Sequence, residues 1–123
     1  MKKIFLILSG ILLCLPLESL QAKIQSTKRI EQLSNNNVNV WKTIIYPSSR
    51  YALPMHRHDH DRVIVALTDG ELKISNNKGK IHYFKLKKGK AYYLAKDKAN
   101  ELHNDENMSG HSIKIMVIEL KDA

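Results

Sequence analysis

Hydrophobic and polar residues alternate with a period of two along most of the chain after Val38. Segment 38–46, VNVWKTIIY, places Trp41 and Ile45 on one face of an extended strand. Segment 62–68, RVIVALT, is apolar on both faces, which predicts a strand that is covered on both sides. Further strands are predicted for ELKIS, IHYFKL, AYYLA and HSIKIMVIELK. Seven or eight short strands separated by turns favour an all-β sandwich or small barrel.

The first 22 residues follow a different pattern. Lys2 and Lys3 precede an apolar run over residues 4–17, and a short polar segment ends at Ala22. This arrangement predicts a secretory signal peptide, residues 1–22, and hence an exported protein that is periplasmic or secreted. The apolar run is shorter than the roughly 20 residues of a membrane-spanning helix, so we expect no stable membrane anchor.

Two polar segments are predicted to lack regular sheet structure. Residues 23–37, KIQSTKRIEQLSNNN, have only weak helical spacing and predict a flexible leader with room for one short helix. Residues 96–110, KDKANELHNDENMSG, predict the longest polar loop. The folded domain is accordingly expected to span residues 38–121.

Composition limits the function classes. Removal of residues 1–22 leaves 101 residues without cysteine, so a single domain without disulfides is expected. The same removal takes away Lys2, Lys3 and Glu18, which lowers the formal charge from +8 to +7. The lysines lie singly along strands and turns, and aromatic residues make up 7% of the chain without a stacking pattern. We therefore expect no nucleic-acid partner.

Three histidines stand at every second position in LPMHRHDHDRVIVALTDGEL: His56, His58 and His60. On an extended strand they would share one face, and two neighbouring imidazoles can reach one ion at about 2.0–2.1 Å. The outer two are separated by about 13 Å of backbone, so all three do not meet on one ion. A ligand from elsewhere in the chain must complete a metal site.

The segment resembles the first motif of the cupin family, which runs His-x-His, three or four residues, Glu, six residues, Gly. Counting back from Gly70 places His56 and His58 on the two histidines and Val63 in the position of the glutamate. The resemblance extends over about residues 38–121. It implies a single-domain, cupin-type jelly-roll barrel, two sheets folded around a cavity.

The second cupin motif ends in His, three residues, Asn, which His103 and Asn107 match. Asn100 stands where the family has a glycine, and asparagine tolerates the left-handed backbone conformation. The resemblance implies one divalent transition metal ion (Zn, Fe, Mn, Ni or Cu), bound by His56, His58 and His103. Asp61 is the candidate to replace the missing carboxylate ligand, and His60 is a further candidate near the metal.

Two functions remain open at this stage. The first is an exported cupin that binds a metal and a small organic ligand or substrate. The alternative is a non-catalytic ligand-binding or interaction module with a degenerate metal site, as Val63 suggests. The sequence does not decide whether the protein is an enzyme. Small cupins pair through their sheets, so a homodimer is also expected from the resemblance.

Overall fold

The computed structural model describes residues 27–47 and 54–122, which form eight strands. These residues contain no helix, and so none long and apolar enough to cross a membrane. The strands are β1 (Thr27–Ser34), β2 (Val38–Ile45), β3 (Arg62–Ala66), β4 (Gly70–Asn76), β5 (Ile81–Leu86), β6 (Ala91–Leu94), β7 (His103–Asn107) and β8 (Ile113–Leu120). The predicted all-β fold class is confirmed.

The strands form two antiparallel sheets that enclose the core. The larger sheet has the order β1-β2-β8-β3-β6, and the smaller has the order β5-β4-β7. Neighbours in the large sheet are far apart in sequence, as β2 beside β8 and β8 beside β3. The chain therefore crosses repeatedly between sheets, as expected for a jelly roll.

The core lies between the inner faces of the sheets and follows the predicted alternation. Trp41 and Ile45 on β2 are buried. On β3, which was predicted to be covered on both sides, burial instead alternates: Ile64 and Ala66 face inward and are buried, whereas Val63 and Val65 are only partly buried. The remaining buried apolar side chains are Leu72, Leu86, Ile113, Ile115 and Val117. Burial of these side chains supplies most of the favourable free energy of folding.

The predicted flexible leader, residues 23–37, is wrong from Thr27 onward. Thr27–Ser34 is strand β1, which pairs with β2 and forms an edge of the large sheet, with a register shift between Glu31 and Leu33. Most of its side chains are exposed, because an edge strand is held largely by backbone hydrogen bonds to one neighbour. Its polar sequence therefore lacked a strand signal. The predicted signal peptide, residues 1–22, lies outside the described residues.

The predicted polar loop over residues 96–110 is also partly wrong, since it contains strand β7. This strand, HNDEN, pairs with β4 from Leu72 to Asn76 and has no apolar residue. The reason is that its inward side chains line a polar site: His103 and Asp105 face a cavity, and Asn107 is buried. Hydrophobic periodicity cannot reveal such a strand.

Three residues fix the backbone around β4, β7 and β8. The Asn107 side-chain amide donates to the carbonyls of Ile45 and His111 at 2.9 and 2.8 Å, which ties β7 to β2. Asn100 has a φ of 65°, the left-handed conformation that was expected at this position because the cupin motif has a glycine there. Gly70 has no room for a side chain, because an added Cβ would lie 2.5 Å from Ile113 Cγ1.

Candidate metal site

The site begins with a backbone bridge between His56 and His103. The His56 N–H donates to the His103 carbonyl at 2.9 Å, and the His103 N–H donates to the His56 carbonyl at 2.8 Å. This isolated antiparallel bridge connects the segment before β3 with the first residue of β7. It brings two parts of the chain together that are distant in sequence.

Three imidazole rings converge at this bridge. The ring centroids of His56, His58 and His103 are 4.6 to 5.2 Å apart. One ligand nitrogen from each ring can be chosen so that all three nitrogens lie within 4.8 Å of one another. We call these three residues the histidine triad. His, Cys, Asp and Glu side chains can all bind metals, and among the described residues the triad is the group of such side chains whose ligand atoms lie this close together.

Hydrogen bonding fixes which nitrogen of His56 is available. Its Nδ1 lies 2.8 Å from the Pro54 carbonyl oxygen, which can only accept, so Nδ1 carries the proton. Nε2 then holds a free lone pair and lies 3.7 Å from a carboxylate oxygen of Asp105. A neutral imidazole oriented through its other nitrogen is the form that binds a metal.

Asp97 supports the other two histidines. Its Oδ2 accepts the His58 backbone N–H at 2.7 Å and lies 3.3 Å from His103 Nδ1. The Asp97 N–H in turn donates to the His58 carbonyl at 2.9 Å. A carboxylate behind one ring nitrogen favours the tautomer whose other nitrogen is a free ligand. Asp97 therefore positions two members of the triad at once.

Burial keeps His58 and His103 neutral. Desolvation, followed by the positive charge of Arg62, lowers the pKa of His58 to about 3. Desolvation also lowers the pKa of His103, against the opposing effect of Asp105 and Asp97. Both rings therefore keep an unprotonated nitrogen at neutral pH, as metal coordination requires.

The triad lines a cavity of about 290 Å³ between the two sheets. The rest of the wall is mainly apolar and comes from strands of both sheets: Ile45, Ile64, Leu72, Ile74, Phe84, Leu94, Ile115 and Val117. Thr27 and Arg29 from β1 also line it. An apolar cavity with a few polar groups is typical of a small-molecule site.

The residue in the glutamate position of the first motif is Arg62, not Val63. Arg62 lines the cavity, whereas Val63 has the opposite side-chain parity and pairs with the exposed Tyr93. The family pattern allows three or four residues after the second histidine, and the alternation of β3 selects three. With Arg62 in this position, seven residues rather than six separate it from Gly70, which is why the count back from Gly70 reached Val63. A cation therefore replaces the carboxylate.

Asp61 and His60 are not brought into the triad. Asp61 accepts hydrogen bonds from the Tyr93 hydroxyl and from the Lys96 N–H, at 2.8 Å for the latter. These hydrogen bonds lower the pKa of Asp61. Asp61 has the same side-chain parity as Val63, and its side chain therefore faces away from the cavity. His60 lies outside the group, with its Nδ1 3.6 Å from an Asp122 carboxylate oxygen. The prediction that either residue joins the ligand set is therefore not supported by the geometry.

Sequence reasoning missed Asp97, Asp105 and Arg62 as site residues. Asp105 had a usable signal, because it stands two positions after His103 and shares its face on a strand. Arg62 had a weaker one, as a charged residue opening an otherwise apolar strand. Asp97 had none, because its position depends entirely on how the loop before β7 folds.

Comparison with solved structures identifies the architecture. A cupin domain from Bordetella pertussis superposes with a TM-score of 0.68 at 24% sequence identity, covering 82% of this chain and 99% of that domain. The chain has the cupin fold. A structure of Fe(II)-HppE with an alternative substrate aligns with this chain at a TM-score of 0.61 and 10% identity, covering 78% of this chain and 50% of the HppE chain. No model of a known protein family matches the sequence.

A curated relative gives a more local match. This chain is 41% identical over 66 residues to the β-alanine degradation protein BauB of Pseudomonas aeruginosa. The aligned region covers 54% of this chain and 65% of BauB, which is less than two thirds of that protein's length.

Proposed function

We propose that this chain is an exported cupin that binds one divalent transition metal ion and a small organic ligand in its barrel. The observation that carries the proposal is the histidine triad, whose ligand nitrogens lie within 4.8 Å of one another in the wall of a cavity. His56, His58 and His103 would hold the ion. The bound metal would supply Lewis-acid or redox chemistry to a ligand beside it.

The donor set fits a transition metal. Three neutral imidazoles suit Zn, Fe, Ni or Cu, and Mn joins them when an oxygen ligand is added. His56 is oriented by the Pro54 carbonyl and His103 by Asp97. Such outer contacts fix ring orientation before the metal arrives, which reduces the entropy lost on binding.

The cavity supports a small ligand rather than a polymer. At about 290 Å³ it lies near the lower limit of small-molecule sites, and residues of both sheets line it. Its apolar wall favours a ligand with a compact hydrocarbon part, and the triad and Asp105 supply polar groups. The local similarity to a β-alanine degradation protein, and the iron in Fe(II)-HppE, are consistent with a small organic substrate and a metal.

A specific observation favours the second function, a non-catalytic module with a degenerate metal site. Arg62 replaces the cupin glutamate, and its positive charge acts on His58. A fixed cation near the triad opposes the binding of another cation. Asp97 and Asp105 supply two negative charges around the same rings and offset this repulsion. We therefore favour the metal-binding function.

Export is the part of the proposal that depends on residues 1–22. Lys2, Lys3 and the apolar run that follows are typical of a secretory signal peptide. Fractionation of cells producing the full chain, with mass measurement of the recovered protein, tests it. A mature mass that begins at Lys23 is expected, and full-length protein retained in the cytoplasm would contradict export.

Elemental analysis tests metal binding. The purified protein is stripped with a chelator, loaded separately with Zn, Fe, Mn, Ni or Cu, and desalted before measurement. We expect close to one equivalent of at least one metal in the parent and a loss of most of it in His58→Ala and His103→Ala. His82→Ala is the matched control, because His82 is exposed on β5 outside the triad. Equal loading of all four proteins would contradict the assignment of the ligands.

A further inference from the structure

Arg62 is an unusual residue for the wall of a cupin cavity. It is only 8% exposed, and its Nη1 has no hydrogen-bond partner among the described residues. It lines the same cavity as the histidine triad. Buried arginines are normally paired, because leaving a buried charge without a partner is costly.

The acidic groups around Arg62 are engaged with other residues. Asp97 and Asp105 contact the histidine triad. Glu119, the cross-strand partner of Arg62 on β8, accepts a hydrogen bond from the Asn39 side-chain amide at 3.4 Å. In the part of the chain that the structure describes, no carboxylate forms an ion pair with the Arg62 guanidinium, although these three attract it from a greater distance. Arg62 is therefore a cation in the cavity wall without an ion pair of its own.

The chemistry of the guanidinium indicates what kind of group it would bind. Arg62 has only N–H donors, so a ligand group beside it must accept hydrogen bonds. Among the acceptors of small organic molecules, a carboxylate forms the strongest, charge-assisted bonds to a guanidinium. Asp97, Asp105 and Glu119, which all attract Arg62, would balance the charges of Arg62 and a divalent ion. This inference rests on the proposed small-molecule site.

We propose that Arg62 binds the carboxylate of a small organic monoacid whose hydrocarbon part lies in the apolar cavity. A planar guanidinium presents parallel N–H donors that match the two oxygens of a carboxylate. The apolar walls contributed by Leu72, Phe84 and Ile115 exclude water from the rest of the ligand. The substrate class of the site is accordingly a monocarboxylate of a few carbon atoms rather than a sugar or a phosphate ester.

Arg29, the other arginine in the cavity wall, already has partners. Its Nε lies 3.1 Å from a Glu31 carboxylate oxygen, and its guanidinium carbon lies 3.4 Å from the centroid of the Trp41 ring. The side chain is half exposed. Its charge is therefore satisfied by the protein and by water, and Arg62 remains as the anion-binding group.

Calorimetric titration with matched neutral and anionic probes tests the proposal. The probes are butanoate with butanamide and benzoate with benzamide, pairs that differ mainly in charge. Each is titrated into chelator-treated protein and into Zn²⁺-loaded protein. We expect each carboxylate to bind at least about tenfold more tightly than its amide, because a charge-assisted hydrogen bond is stronger than a neutral one.

The variants assign this preference to one residue. Arg62→Met should reduce the preference for carboxylate to less than about threefold, and Arg62→Lys should reduce it in part, since lysine keeps the charge but lacks the planar pair of donors. Arg57→Gln is the control, because Arg57 is exposed and paired with Asp59. It should keep the full preference.

Three results would overturn the proposal: no preference for carboxylates in the parent, an undiminished preference in both Arg62 variants, or no binding of any probe. Failure of the metal site gives a different result. In that case Zn²⁺ does not load, while the carboxylate preference and its loss in Arg62→Met are still measured in the chelator-treated protein.

Discussion

His56 and His103 exchange both of their backbone hydrogen bonds, and this pairing determines where their rings meet. Because the bridge fixes the backbone on both sides, the 4.6 Å separation of the two ring centroids follows from the fold rather than from the side chains alone. The bridge joins the segment that precedes the large sheet's β3 to the first residue of the small sheet's β7. The site is thereby built into the junction of the two sheets.

Asp97→Asn should weaken metal binding by about tenfold to a hundredfold, the usual effect of losing an outer carboxylate. The amide keeps the size of the side chain but loses the charge that orients His103. Competition with a chromophoric chelator measures the affinity. Asp59→Asn is the control, because Asp59 is exposed and paired with Arg57, and it should bind metal as the parent does. Unchanged affinity in Asp97→Asn would mean that the carboxylate does not act on the triad.

The stability of the metal-free protein should fall in acid because His58 is buried and neutral. The pKa of His58 is about 3 in the folded state and near 6.5 when unfolded. Below about pH 6.5 the unfolded chain takes up a proton that the folded chain does not, so the free energy of unfolding decreases toward pH 3. Solvent screening keeps the slope below the roughly 1.4 kcal/mol per pH unit of a fully buried group.

Urea denaturation at pH 7.0, 6.0 and 5.0 measures this slope in the presence of a chelator. The His58→Gln variant should show a shallower slope than the parent, and His82→Gln, at an exposed position, should show the parent's slope. A slope that His58→Gln leaves unchanged would place the responsible group elsewhere.

Replacement of Arg62 by methionine should stabilise the ligand-free protein. Methionine fills a similar volume and removes a buried charge whose Nη1 has no hydrogen-bond partner among the described residues. The free energy of unfolding should rise by up to about 1 kcal/mol, because the desolvation of Arg62 outweighs the attraction to Asp97, Asp105 and Glu119 that the substitution also removes. Arg57→Met, on the surface, should change it by less than about 0.5 kcal/mol. A large loss of stability in Arg62→Met would show that the guanidinium serves the packing of the sheets.

Gly70→Ala should destabilise the fold by about 1–3 kcal/mol through overpacking. The added Cβ would lie 2.5 and 2.6 Å from the Cγ1 and Cδ1 atoms of the fully buried Ile113. The double variant with Ile113→Val, which removes Cδ1, should lose less stability than the two single variants predict together. Gly110→Ala meets open space and should be nearly neutral. Thermal unfolding of the parent and the four variants measures these changes, and a neutral Gly70→Ala would contradict the close approach.

The hydrophobic alternation of β2, β3 and β8 was sufficient to predict an all-β fold, because strands that bury an apolar face carry their period in the sequence. Strands β1 and β7 were not predicted. The first is an exposed edge, and the second is polar because its inward residues serve the site. Periodicity detects burial of apolar groups, and neither strand depends on it.

The same limit applies to the site. His56, His58 and His103 were identified from the order of the cupin motifs, and the structure brings these three residues together. Arg62 was not identified as a site residue, because the motif spacing allows two alternatives and only the side-chain parity of the folded strand separates them. Asp97 could not be predicted, since its contacts with His58 and His103 depend on a loop whose path has no local sequence signal.

The most direct test of the account is the position of a bound metal. Crystals of the protein loaded with Zn²⁺ are measured on both sides of the zinc absorption edge, and an anomalous-difference map is calculated. We predict one strong peak about 2.0–2.1 Å from a ring nitrogen of each of His56, His58 and His103. A peak held by other residues, or no peak in protein that contains zinc by elemental analysis, would contradict the histidine triad as the metal site.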